Sequence, residues 1–132
     1  MKTTLRLSFL SLAISALLIG CGKQDAIIDA HNEMVEIESD LVKEYNANFL
    51  AQGQADALGN AIRKIQKIDV SDCPEDYQEA WRDLIKLWRD CKAALESGNI
   101  DLANILIGQN PKKASKLNRI AKSHGVKILG SL

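Results

Sequence analysis

The sequence predicts an all-α fold, a small up-down bundle of about four helices in which the last helix is kinked at Pro111. Leu, Ile, Ala, Lys, Glu and Asp dominate the composition, and the chain of 132 residues contains only eight Gly and two Pro. β-Branched runs are short, and apolar residues recur at the spacing of an amphipathic helix. Short connections between the helical stretches favour antiparallel neighbours.

The first helix is predicted from Asp25 to Ala51. Its buried face follows alternating steps of three and four residues, as a bundle helix requires. The residues on that face are Ile27, Ala30, Met34, Ile37 and Leu41. Ile28, Val35 and Val42 are predicted to widen the face, and Tyr45 and Phe49 to extend it.

Gly53 is the predicted break before a second helix from Gln54 to Ile68, which is followed by a turn over 69–73. The third helix has the clearest start, because Pro74 suits the first helical position, where a missing N–H costs nothing. It is predicted to end at Ser97-Gly98. The apolar face of this helix is predicted to lie in the core, with both tryptophans. Its residues are Tyr77, Trp81, Leu84, Trp88, Cys91 and Leu95.

The last helical stretch is predicted to begin near Asn99, a good N-cap residue. Pro111 interrupts it, and the chain resumes as a helix to Ser123, with Gly125 in the left-handed position that ends a helix. The residues predicted to face inward are Leu102, Ala103, Leu106, Ile107, Ala114, Leu117, Ile120 and Ala121.

The beginning of the chain has the layout of a secretory signal, with Lys2 and Arg6 before an apolar run over 7–19. The run is too short for a membrane span and is interrupted by serines. It ends in Leu18-Ile19-Gly20-Cys21, which resembles the lipobox of bacterial lipoproteins. This resemblance implies that residues 1–20 are a cleaved signal peptide and that Cys21 carries the covalent lipid.

The same resemblance predicts the organisation of the mature protein. Residues 21–24 would form a short lipidated tether and residues 25–132 a single helical domain. Gly22 stands where an Asp commonly retains such lipoproteins at the inner membrane. The resemblance therefore implies attachment to the outer membrane, with the domain facing the periplasm and the membrane as its first partner.

Charge is nearly balanced overall but unevenly distributed. After residue 20, fifteen basic residues stand against seventeen acidic residues, a net charge of about −2 that gives no support for nucleic-acid binding. Residues 111–132 contain no acid, and the basic residues there form the predicted interaction surface. These residues are Lys112, Lys113, Lys116, Arg119 and Lys122.

This basic stretch has several possible partners. It could contact anionic headgroups. It could also pair with an acidic stripe on the first helix, in the same molecule or in another copy. The stripe consists of Asp29, Glu33, Glu36 and Asp40 at helical spacing, and its alternative interpretation is a solvated outer face.

The cysteines of the mature domain are predicted to be free thiols. In a continuous helix, 18 residues separate Cys73 from Cys91 by about 27 Å, whereas a disulfide needs Cα atoms within about 7 Å. Cys91 fits a core position. Cys73 fits a packed capping position, and its place at a helix N-terminus leaves a reactive thiol as the alternative.

The sequence contains no metal-binding or catalytic motif, so it predicts neither an enzyme nor a metal protein. A loose similarity to the non-covalent haem cytochromes of the b562 type rests on Met34 and His124 as possible axial ligands. The predicted function is a non-enzymatic binding or envelope-associated lipoprotein without a cofactor other than its lipid. The alternatives are an inhibitor, immunity or exclusion-type lipoprotein and a small haem-binding bundle.

Overall fold

The chain folds into α-helices that run up, down, up and down. The structure, a computed structural model, describes the backbone of residues 11–127 and the side chains of residues 23–127. The helices are α1 (Ser11–Ala47), α2 (Ala51–Ile65), α3 (Glu75–Glu96), α4 (Ile100–Ile107) and α5 (Asn110–Ser123). No strand occurs in the described part of the chain, and the predicted all-α bundle is confirmed.

Contacts between distant residues establish the direction of the helices. Helix α3 packs against α2, α4 and α5, whereas α1 packs mainly against α2 and more sparsely against α5. The Gln24 side chain donates a hydrogen bond to the His124 carbonyl, and the Asn110 amide donates one to Glu38. The part of α1 around Gln24 therefore lies beside the end of α5, and these two helices are antiparallel.

The core consists of the residues that the periodicity predicts. Trp88 is completely buried and Trp81 is 2% exposed, so both tryptophans are core residues rather than an exposed platform. The five residues of the predicted α1 core face, Ile27, Ala30, Met34, Ile37 and Leu41, are all buried. In α2, the predicted inward residues Leu58, Ile62 and Ile65 are buried as well.

The first helix differs from its predicted bounds at both ends. It begins at Ser11 and includes the segment 21–24, which the sequence predicted as a tether. Its end at Ala47 comes earlier than predicted, because the Asn48 side chain donates to the Glu44 carbonyl and competes with the helical ladder. The predicted break at Gly53 is wrong, since Gly53 lies inside α2 and its missing Cβ leaves room for the Asn48 side chain.

Part of the predicted apolar face of α1 is exposed, which corrects that prediction. Ile28, Val35 and Val42 are 37–44% exposed, because they lie beyond the residues that α2 and α5 cover. Phe49 does not extend the buried face either, since it lies after the end of α1 and is 96% exposed. No helix in residues 11–127 combines the length and apolar character needed to cross a bilayer.

The remaining helix boundaries follow local signals. Pro74 precedes α3 by one residue, and Gly98 takes a φ of 79° after its end. The Asn99 side chain caps α4 by accepting from the Leu102 amide N–H at 3.2 Å. Gly125, with a φ of 83°, ends α5 as predicted.

The last helical stretch is divided before Pro111 rather than at it. Helix α4 ends at Ile107, and Pro111 lies in the first turn of α5, where it needs no amide partner. In α4 only Ala103 is buried, and the prediction that Leu102 faces inward is wrong, because it is 40% exposed. In α5, Leu117 and Ala121 are buried as predicted.

Candidate functional site

The predicted basic surface is one face of α5. Four of its five side chains, Lys112, Lys113, Lys116 and Arg119, line a surface groove of about 400 Å³ with Gln109. The fifth, Lys122, lies about one helical turn beyond Arg119, near the end of α5, and is exposed.

No acidic side chain among residues 23–127 forms an ion pair with this basic face. Ion pairs among the described residues join Arg82 to Glu75, Lys86 to Asp90 and Lys92 to Glu96, and His124 approaches Asp76. None of them includes a basic side chain of the α5 face. The predicted pairing with the acidic stripe of the same molecule therefore does not occur, and the face remains available for an external negative group.

A buried polar cluster holds the middle of α5 against α1 and α3. The His31 ring lies 2.9 Å from the Tyr77 hydroxyl through Nδ1 and 2.7 Å from Asn118 Oδ1 through Nε2. Because an amide oxygen only accepts, Nε2 carries the proton and Nδ1 accepts from Tyr77. His31 is 2% exposed. One side chain therefore joins three helices.

A second polar cluster lies two turns further along α1. Trp88 Nε1 donates to Asn110 Oδ1 at 2.8 Å, and Asn110 Nδ2 donates to Glu38 Oε2 at 2.8 Å. Asn110 is 5% exposed. Burial raises the pKa of Glu38, and the hydrogen bond from Asn110 partly opposes that rise. The two clusters set the position of the basic face relative to α1.

The His31 cluster predicts a pH-dependent stability. Burial lowers the pKa of His31 below its ordinary value, against a smaller opposing effect of Asn118. The unfolded chain therefore takes up a proton at higher pH than the folded protein does. The contribution of His31 to stability is complete above the unfolded pKa of 6.5 and is lost as pH falls through the folded pKa.

We expect the free energy of unfolding to fall more steeply between pH 7 and 5 in the wild type than in His31→Gln. The two slopes should differ by up to about 1.4 kcal/mol per pH unit. Urea unfolding at each pH measures both slopes. Glu38 titrates in both proteins, so its opposite effect cancels in the difference. Equal slopes would contradict the assignment to His31.

The end of α5 lies beside the residues that follow Cys21. Gln24 Nε2 donates to the His124 carbonyl at 2.9 Å, and His124 Nε2 lies 3.0 Å from Asp76 Oδ1. Cys21 lies one helical turn before Gln24 in α1. Residues 1–10 of the predicted signal peptide lie outside the described residues, as do the side chains of residues 11–22, including that of Cys21.

The acidic stripe lies on another side of the bundle. Asp29, Glu33, Glu36 and Asp40 are all exposed, as predicted. Glu33 and Glu36 line a cleft between α1 and α2 together with Lys64 and Lys67. None of the four acids forms an ion pair with a described residue. The stripe therefore faces the α2 side of α1, away from α5.

The described cysteines are free and buried. Cys73 lies two residues before α3, which is continuous from Glu75 through Cys91, so Cys73 and Cys91 do not form a disulfide with one another. Burial, and then the nearby carboxylates of Asp72 and Asp69, raise the pKa of Cys73 to about 11. This pKa disfavours the thiolate and counts against the reactive alternative for Cys73.

The structure does not bring the two possible haem ligands together. Met34 is 1% exposed in the core, three residues beyond His31 in α1. His124 lies at the level of Gln24, and ten residues of helix separate Gln24 from Met34 by about 15 Å. No group of three or more His, Cys, Asp or Glu side chains in the described chain has the arrangement of a metal site.

One buried side-chain polar atom in the described part of the chain lacks a hydrogen-bond partner. The Tyr45 hydroxyl has no hydrogen bond among the described residues, and burial with the adjacent Cys91 thiol raises the pKa of Tyr45 to about 12. Tyr45 borders a mostly apolar cavity of about 230 Å³ between α1 and the α4–α5 junction. This cavity is separate from the basic face.

Sequence reasoning identified the basic residues but missed the side chains that position them. No motif marks these side chains, which are those of His31, Glu38, Asn110 and Asn118. The one available signal was that a buried Trp needs a partner for its N–H.

No protein family matches the chain, and neither the curated proteins nor the solved structures include a significant match.

Proposed function

We propose that this chain is a bacterial lipoprotein, anchored through a lipid on Cys21 to the outer membrane and facing the periplasm. Its domain acts as a non-enzymatic binding protein. The observation that carries the proposal is the basic face of α5, which no described acid neutralises. A lipidated Cys21 would keep this face within a short distance of the membrane, because the end of α5 lies beside Gln24.

The non-enzymatic part of the proposal rests on how the buried polar groups are used. His31 and Glu38 have shifted pKa values, as catalytic groups often do. Both are nevertheless committed to hydrogen bonds between helices, to Tyr77 and Asn118 for His31 and to Asn110 for Glu38. Their environment therefore favours a structural role and leaves the surface of α5 as the functional feature.

Charge at the membrane-proximal end favours a protein partner over lipid headgroups. The connection between α2 and α3 lies at the same end as Gln24, because Asp76 contacts His124 there. The acidic residues of this connection and of the first turn of α3, Asp69, Asp72, Glu75 and Asp76, are all exposed. They would be repelled by anionic headgroups, whereas the basic face on the side of the bundle is free to meet an acidic protein surface.

An inhibitor or immunity-type lipoprotein is the second candidate. Apolar side chains are exposed at or toward the opposite end of the bundle, where Phe49 is 96%, Leu50 75% and Ile105 63% exposed. Exposed aromatic and aliphatic groups of this kind are typical anchors of protein interfaces. This candidate predicts a foreign hydrolase, toxin or phage component as the partner.

Photo-crosslinking in living cells tests the proposed function. A photoreactive residue at Lys116, within the basic face, is expected to capture a discrete protein product in the membrane fraction. The matched control replaces Arg82, an exposed base on α3 that is paired with Glu75. Equal capture from both positions, or none from Lys116, would contradict binding through α5. Mass spectrometry of the product separates an envelope component from a toxin or phage protein.

A further inference from the structure

The acidic stripe of α1 and the basic face of α5 point in opposite directions. Glu33 and Glu36 face the α2 side of α1. Helix α5 contacts α1 through Asn110 and Asn118. Lys116 is two residues before Asn118, which is about 200° around the helix at 100° per residue. The basic face therefore points away from α1, and the acidic stripe points away from α5.

These two faces lie at the same height along the bundle. The hydrogen bond between His31 and Asn118 gives one pair of level positions in the antiparallel helices. Glu33 lies two residues after His31, and Lys116 lies two residues before Asn118, so these two residues are level with each other.

The second hydrogen-bonded pair gives the same result. Asn110 forms a hydrogen bond with Glu38, so these two positions are level. Glu36 lies two residues before Glu38, and Lys112 lies two residues after Asn110. Glu36 and Lys112 are therefore level as well. Asp29 and Arg119 lie at the same height along the bundle to within one residue, which is about 1.5 Å of helix rise. Three acids on one side of the molecule are thus matched in height by three bases on the other side.

Anchoring through the lipid would give every copy the same orientation. Two copies with Cys21 in one leaflet have their α1 helices parallel, so the heights of the two faces are preserved from one molecule to the next. This step rests on the proposed lipidation of Cys21. An acidic stripe of one copy then meets the basic face of its neighbour without a vertical shift.

We propose that the basic face of α5 binds the acidic stripe of α1 on a second copy of this chain, side by side in the membrane. The contact joins different faces of the two molecules, so each copy keeps one face free and the association can continue into a row. Asp29, Glu33 and Glu36 of one copy meet Arg119, Lys116 and Lys112 of the next.

The contact depends on the membrane because the ion pairs that form it are exposed and individually weak. A single exposed ion pair contributes little, because solvent screens it and ordering the side chains costs entropy. Lipid anchoring confines the copies to one surface and raises their effective concentration. Lys64 and Lys67 border the acidic stripe without pairing to it, and they weaken its field at Glu33 and Glu36. The contact is expected to weaken as salt increases.

Disulfide trapping in the native membrane tests the contact. Two differently tagged full-length copies are co-expressed, one with Glu33→Cys and the other with Lys116→Cys, and mild oxidation is expected to link them. The control pairs Glu33→Cys with Lys122→Cys, which lies six residues or about 9 Å away along the helix and beyond the reach of a disulfide. The native Cys73 and Cys91 are buried in both copies.

A charge exchange separates an electrostatic contact from chance collision. Adding Glu36→Lys to the first copy is expected to lower the trapped yield about fivefold, because an attraction to Lys112 becomes a repulsion. Adding Lys112→Glu to the second copy is expected to restore the yield. No link between the two faces, preferential linking of two Glu33→Cys copies, or no response to charge would overturn the proposal. Retained membrane attachment and capture of another protein from Lys116 would then leave the proposed function standing.

Discussion

Replacement of Asn110 with alanine is expected to lower the free energy of unfolding by about 2–4 kcal/mol. The substitution removes two hydrogen bonds and leaves the buried Trp88 N–H and the Glu38 carboxyl group without these partners. An unsatisfied buried polar group costs about 1–3 kcal/mol, and a charged group costs more. Urea unfolding of the purified domain measures the change.

Asn104→Ala is the matched control, because Asn104 is an exposed residue of α4. It is expected to change the stability by no more than about 0.5 kcal/mol. Trp88→Phe removes the same hydrogen bond from its other end, so its effect and that of Asn110→Ala should be less than additive in the double variant. A cost for Asn110→Ala similar to that of the control would show that this cluster does not hold α5 in place.

The helices were predictable wherever a local signal marks them. Gly98 and Gly125 take positive φ values and end α3 and α5. The Asn99 cap is likewise a property of a few adjacent residues. The end of α1 was not predictable in this way, because Asn48 replaces the helical ladder through its own side chain and no glycine or proline is involved.

The coverage of α1 required knowledge of the neighbouring helices. Val35 and Val42 have the same apolar character and spacing as buried residues, and only the sparse packing of α5 on α1 leaves them 44% exposed. Hydrophobic periodicity identifies the apolar face of a helix. It does not state how much of that face the partner helices cover.

The candidate site was predictable in composition but not in geometry. The absence of acids over 111–132 identified the basic residues of α5. Their height and direction relative to Glu33 depend on the register between α1 and α5, which the bonds of Asn110 and Asn118 establish. Asparagine side chains are mostly exposed in folded proteins, so nothing in the sequence marked these two as contacts between helices.

Lipid-mediated attachment to the outer membrane is expected to be lost when Cys21 is replaced with alanine. Without the thiol, the lipid cannot be joined, and the signal peptide of residues 1–20 should remain uncleaved or the protein should be mislocalised. Each buried lipid CH₂ contributes about 0.8 kcal/mol, so the loss of two or three acyl chains removes essentially all of the anchoring energy. Membrane fractionation and the intact mass of the product measure both effects.

Cys73→Ala is the control for this substitution, because Cys73 is buried in the domain and carries no predicted lipid. It should leave processing and membrane attachment unchanged. Normal attachment of the Cys21→Ala protein would exclude the lipoprotein assignment. If attachment is lost, disulfide trapping between Glu33→Cys and Lys116→Cys copies should disappear with it, because weak exposed ion pairs join the copies only while the membrane holds them parallel and concentrated.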